Sequence, residues 1–161
     1  MNEKAVQIST SNDASLSAID TGTTLIAGPS DDVTAIWSSV GGTPSPANPG
    51  FFRFRAYHII QLHVFPRKLI CPIACSTNVA VSLSFGSGKS WPINVQDMNL
   101  GPETRGSSMC LGAIFDLSMG TNIDPQPGSG TPNWIIGDTF LVCFRCYYLK
   151  HPFSQLHASL Y

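Results

Sequence analysis

The chain has 161 residues, enough for one domain with a sizeable core, and only 12% of them are charged. That low charge, with fourteen Gly and twelve Pro beside many Ser and Thr, favours a β-rich globular domain over a helix bundle or disorder. A formal net charge of -1 gives no basis for nucleic-acid or anionic-membrane binding, and no run approaches the ~20 apolar residues that a membrane span requires.

The polar start, Met1-Asn2-Glu3-Lys4, lacks a signal-peptide core, so the protein either stays inside the cell or has its true N-terminus elsewhere. Alternation in Ala5-Val6-Gln7-Ile8-Ser9 predicts a half-buried strand, and Ser11-Asn12-Asp13 a polar turn. Residues 16–19 lead as a strand into Asp20-Thr21-Gly22-Thr23-Thr24-Leu25-Ile26-Ala27-Gly28-Pro29, a glycine turn between two apolar strands. A short helix is expected over 31–39: Ser30 can cap it, acids occupy its first turn, and Val33, Ile36 and Trp37 share one face. Gly41-Gly42 should end it, with a Pro-rich loop to Pro49. Strands are expected over 51–54, 79–85, 111–117 and 134–136, with Gly86-Ser87-Gly88 as a hairpin turn into Lys89-Ser90-Trp91-Pro92-Ile93. The sum is a mostly β, mostly antiparallel domain with one or two short helices.

The charges are unevenly spread. Residues 55–74 and 142–161 contain no Asp or Glu, yet hold five of the nine Lys and Arg, all four His and three of the five Cys. The ten acids all fall in the rest of the chain.

Chemistry concentrates in Ile19-Asp20-Thr21-Gly22-Thr23-Thr24-Leu25-Ile26. A carboxylate on a rigid turn, pressed against a second carboxylate so that the pair shares one proton, can activate water while polarising a carbonyl. Gly22 would let the backbone approach and donate its N–H to Asp20; Thr23 could offer its hydroxyl to the outer carboxylate oxygen; Thr21 would point away and lock the turn. An Asp-Thr-Gly tripeptide by itself also suits an ordinary β-turn.

The surrounding segments carry more. Gly28-Pro29-Ser30 before the helix, Gly50-Phe51-Phe52-Arg53-Phe54, Val79-Ala80-Val81-Ser82-Leu83-Ser84-Phe85-Gly86, Trp91-Pro92-Ile93, Cys110-Leu111-Gly112-Ala113-Ile114-Phe115 and Trp134-Ile135-Ile136-Gly137-Asp138-Thr139-Phe140-Leu141 follow in order. Together with the Asp-Thr-Gly turn, over about three quarters of the chain, they resemble the C-terminal lobe of pepsin-like aspartic endopeptidases, especially the secreted fungal type. The resemblance implies the pepsin-like acid protease fold, a closed or nearly closed β-barrel-like lobe, and endopeptidase cleavage at acid pH. By the same resemblance Asp20 is the catalytic residue, Thr21, Gly22, Thr23, Ile135, Ile136 and Gly137 support its turn, and Cys75 and Cys110 form the lobe's disulfide. A polypeptide is the implied substrate, and no metal or organic cofactor is implied, since water is the nucleophile. Members of the family are usually extracellular or vacuolar; the compartment of this chain stays open.

Three departures bear on what the chain can do. One Asp-Thr-Gly is present, so the dyad needs either the missing N-terminal lobe or a second copy. Phe54 should run almost directly to Cys75, which makes 55–74 an aberrant insertion, and 142–161 is a tail unlike the family's two closing strands. Both have the length of a short intron, and Val142 fits the idea because every valine codon begins with the splice-donor dinucleotide. The expectation is therefore a single truncated lobe over 1–161, with an inactive fragment, a non-catalytic peptide-binding module and a homodimeric protease as the readings open for the chain alone.

Other motifs are weaker. Cys143-Phe144-Arg145-Cys146 has redox or zinc spacing without a second pair, and His58 with His63, like His151 with His157, lacks the helical spacing of a metal pair. Gly86-Ser87-Gly88-Lys89-Ser90 imitates a phosphate-binding loop, but Leu83 stands where its first Gly should be. Trp37, Trp91 and Trp134 read as core anchors.

Overall fold

The computed structural model describes residues 16–55, 75, 79–85, 89–121 and 131–142. Along them run β1 (Ser17–Ile19), β2 (Ile26–Gly28), α1 (Ser30–Ser39), β3 (Thr43–Pro44), β4 (Phe52–Arg55), β5 (Ser82–Ser84) and β6 (Ser90–Pro92). These are followed by β7 (Asn99–Pro102), β8 (Met109–Gly112), β9 (Ile114–Asp116), α2 (Leu117–Thr121) and β10 (Trp134–Ile136). Residues 138–142 form a further helical turn.

Short strands dominate, as composition implies, and they assemble into two four-stranded sheets, β1-β10-β2-β9 and β3-β4-β8-β7, and a two-stranded ribbon, β5-β6. The pairing is mixed: β1 with β10 and β2 with β9 run parallel, the remaining pairs antiparallel. The strand expected over 111–117 is in fact two. Its first half pairs with β4 and β7, whereas Ile114, Phe115 and Asp116 pair with Ile26, Ala27 and Gly28 in the other sheet. Ala113 is the crossing point: its N–H goes to the Met98 carbonyl (3.2 Å), and its carbonyl accepts from Ile26 N–H (3.1 Å). The chain thereby carries one apolar run through both sheets, which periodicity alone cannot distinguish from one long strand.

α1 begins one residue earlier than expected, and Ser30 does not cap it: the cap position is Pro29, with no side-chain hydrogen bond. Proline's fixed backbone and missing N–H suit a helix entry, and Asp31 and Asp32 complement the dipole instead. The helix stops as Gly41-Gly42 implied. Gly41 has φ +77°, Gly42 N–H bonds the Trp37 carbonyl (2.8 Å) and Gly41 N–H bonds Ser38 (3.1 Å), a Schellman ending.

The main core gathers Trp37, Phe54, Ile26, Ile114, Met98, Trp134 and Ile136 between the helix and the sheets. Trp37 is its anchor, fully buried, stacked on Phe54 at 5.5 Å and donating its indole N–H to the Ile114 carbonyl (2.8 Å). Gly112 is glycine for this reason, since a Cβ there would lie 1.9 Å from the Trp37 ring. Trp134 is buried too, whereas Trp91 is only partly buried. Cys75 and Cys110 are joined by a disulfide, with their Cα atoms 5.9 Å apart. The expected strand over 5–9, the Gly86-Ser87-Gly88 turn, the Cys143–Cys146 pair and the four histidines lie outside the described residues.

Candidate active site

Asp20 sits where β1 ends against β10. Its N–H donates to the Ile136 carbonyl (3.0 Å), and a weaker bond from Thr23 N–H to the Asp20 carbonyl (3.4 Å) closes the turn over Thr21 and Gly22. The carboxylate is held at both oxygens: Gly22 N–H donates to Oδ1 (2.8 Å) and the Thr23 hydroxyl to Oδ2 (2.5 Å). Gly22 is not in the left-handed region; its lack of a side chain matters because a Cβ would lie 3.2 Å from Oδ1. Thr21 is exposed at the tip of the turn.

These two donors hold the Asp20 carboxyl below the usual aspartate range, the Thr23 hydroxyl first and the Gly22 N–H second, against a smaller opposing effect of desolvation. Both donors thus favour the ionised form of a group that is itself partly exposed. In the first turn of α1, the Asp32 carboxyl is pushed up by burial first and by Asp31 second.

The turn rests on a clamp from the far end of the chain. Gly137 N–H donates to the Leu25 carbonyl (3.1 Å), Asp138 N–H to Thr23 (2.8 Å) and Thr139 N–H to Thr24 (2.8 Å). A Cβ on Gly137 would lie 2.2 Å from the Thr23 carbonyl oxygen and 2.5 Å from that of Leu25, so only glycine permits this approach. Ile136 is buried in the main core, and half-buried Ile135 packs on the second cluster of Ala27, Phe115 and Leu117. The structure thus brings together Asp20, Gly22, Thr23, Ile135, Ile136 and Gly137, and places Cys75 and Cys110 at the β4–β8 side of the molecule. The clamp also includes Thr139, which sequence reading passed over. Its signal was slight: a hydroxyl residue beside Asp138, in the polar pair that separates Gly137 from Phe140.

A cavity of about 370 Å³ is lined by Ile19, Phe85, Trp91, Phe140 and Leu141. Ile19 immediately precedes Asp20, and both Ile19 and Phe85 are exposed, so apolar side chains of this cavity open to solvent. Among the described residues no group of three His, Cys, Asp or Glu is placed to hold a metal ion, and no helix is long and apolar enough to cross a membrane.

A carboxylate pinned by the N–H two residues on and the hydroxyl three residues on, over a Gly137 that no other residue can replace, accords with the comparisons. The model of the eukaryotic aspartyl protease family matches residues 1–154. This chain belongs to that family. It is 38% identical over 125 residues to the major aspartyl peptidase 1 of Cryptococcus neoformans, covering 77% of this chain and 21% of the relative. It is 32% identical over 123 residues to an aspartic protease of Phaffia rhodozyma, covering 76% and 24%, and 30% identical over 124 residues to human cathepsin D, covering 76% and 24%. This aspartyl protease chain thus spans about a quarter or less of the length of these curated relatives.

Proposed function

We propose that Asp20 is one half of a two-aspartate dyad that hydrolyses peptide bonds of polypeptide substrates with water as nucleophile. The observation that carries this reading is the pinning of both carboxylate oxygens by Gly22 and Thr23 at a partly exposed turn. Those two donors favour the ionised carboxylate, which supports the reading of Asp20 as the base. The acid half of the reaction requires a protonated carboxyl, and a single group cannot be in both forms at once. A like-charged partner at close range would supply it by forcing the pair to share a proton. Among the described residues, the groups acting on Asp20 are Thr23 and Gly22, with desolvation opposing them. On this reading the partner carboxylate comes from a further lobe or a second copy, and a single copy of the chain is inactive or binds peptide without turning it over.

Residues 55–74 are read as an insertion into the lobe. In support, Phe54 is in register with Cys110, and Cys110 is bonded to Cys75, so both ends of the segment return to one rung of the β4–β8 ladder. Composition supports reading 142–161 as an aberrant tail, and we read both segments as translated intron sequence.

The test is hydrolysis of an apolar-flanked peptide at acid pH as chain concentration is varied. Absence of turnover with the single chain, restored on adding a lobe that bears an Asp-Thr-Gly, supports the dyad. Activity rising with the square of concentration assigns the second carboxylate to another copy. In both cases Asp20→Asn should abolish turnover, by at least about 1000-fold. Turnover that is first order in chain and survives Asp20→Asn overturns the proposal.

A further inference from the structure

Three consecutive N–H groups, at Gly137, Asp138 and Thr139, donate to the carbonyls of Leu25, Thr23 and Thr24. Any residue at 138 and 139 could supply its backbone N–H. Thr139 adds something that backbone cannot: its hydroxyl also donates to the Thr24 carbonyl, at 2.9 Å, beside its own N–H at 2.8 Å. The residue is buried, at 5% exposure, whereas Thr24 is exposed, so Thr24 is held from the inside through its carbonyl.

The consequence passes along two peptide planes. The carbonyl of Thr23 is fixed by Asp138, and the carbonyl of Thr24 by both donors of Thr139. With the planes on either side of it set, the Thr24 backbone cannot rotate. Thr23, closed from the other side by its N–H on the Asp20 carbonyl, is then held with its hydroxyl aimed at Asp20 Oδ2. Two donors on one carbonyl resist tilting of its plane more than one does, because each constrains a different direction of approach.

We infer that Thr139 is a positioning residue for Asp20, acting through the Thr24 carbonyl to keep the Thr23 hydroxyl on the carboxylate. This deepens the reading of Asp20 as the working carboxylate and rests on it. It predicts that a hydroxyl at 139, and not merely a side chain of threonine's size, sets the state of the turn.

The experiment compares Thr139→Val, Thr139→Ser and Thr139→Ala in the full chain. Carbon-detected NMR follows the titration of the Asp20 carboxyl, and amide exchange follows Asp20 and Thr23. Valine keeps the shape and removes the donor; serine keeps the donor and removes the methyl. The expected result is that valine and alanine shift the Asp20 midpoint upward and speed exchange at Thr23 about fivefold, the worth of one ordinary hydrogen bond. Serine should leave both near the parent values. If valine or alanine lowers thermal stability while the Asp20 midpoint and local exchange stay unchanged, the hydroxyl only satisfies its own burial and the inference is overturned. Should valine fail to fold, the serine and alanine pair decides by the same criterion, and equal midpoints in the two overturn it. None of these readouts uses peptide hydrolysis, so turnover that survives Asp20→Asn refutes the dyad reading and leaves this result to stand or fall alone.

Discussion

The two four-stranded sheets are stabilised in different ways. In the sheet β1-β10-β2-β9 the functional turn is held by backbone: N–H groups of 137–139 on carbonyls of 23–25, a glycine at the closest approach and buried isoleucine beneath. In the sheet β3-β4-β8-β7 the strands are tied by side chains. The disulfide joins Cys75 to Cys110 in β8, and Glu103 just beyond β7 takes the Ser45 hydroxyl (2.6 Å) and the Arg53 guanidinium (3.0 Å). Backbone clamps position atoms within narrow limits and tolerate little change, while side-chain ties add stability and can be altered one at a time. That division suits a site whose carboxylate must stay in place while its surroundings vary.

The sharpest way to break the contrast is Gly137→Ala. The new methyl would meet two backbone carbonyls at 2.2 and 2.5 Å, and backbone cannot swing aside as a side chain can. We expect a loss of roughly 3 kcal/mol or more in urea unfolding, or failure to fold, and loss of protection at the Asp20 amide. A loss below about 1 kcal/mol would show that the clamp is slack.

A smaller effect is expected on the other sheet, and it depends on pH. The Ser45 hydroxyl first, and the Arg53 guanidinium with it, hold the Glu103 carboxyl below the usual glutamate range against some desolvation. A depressed folded value means that the stabilisation is complete above the pH at which an unfolded glutamate ionises, and disappears as pH falls through the folded value. Glu103→Gln should therefore flatten the acid limb of a stability profile while changing the neutral plateau little beyond the loss of one ion pair. An unchanged acid limb in the variant would remove Glu103 from the account.

The smallest effect concerns residues 56–74. Replacing them by a short linker between Arg55 and Cys75 should change stability by less than about 1 kcal/mol, because both ends already return to the Cys110 rung. Loss of folding on deletion would mean that the segment contributes to the core and is no insertion.

Legibility in the sequence differed between these regions for a physical reason. The turn Asp20-Thr21-Gly22-Thr23 is local, and its hydrogen bonds span two and three residues, so residue types at fixed offsets announce them. The helix and its Gly41-Gly42 ending were equally local. By contrast, the split of 109–116 between two sheets depends on which strands lie beside it, and β7 with its positive-φ Gly101 carries too little periodicity to be seen. Thr139 escaped for the same reason: its partner, Thr24, is 115 residues away.

By itself, the sequence determined the β-rich class, the Asp-Thr-Gly turn, the helix with its stop and the order of the apolar segments, because each is written in neighbouring residues. Tertiary structure alone decided that Gly137 must be glycine, that Gly112 must yield to Trp37, that β1 runs parallel to β10 and that a buried threonine backs the turn. Those facts arise from contacts between segments distant in the chain, where close packing, and not local preference, selects the residue.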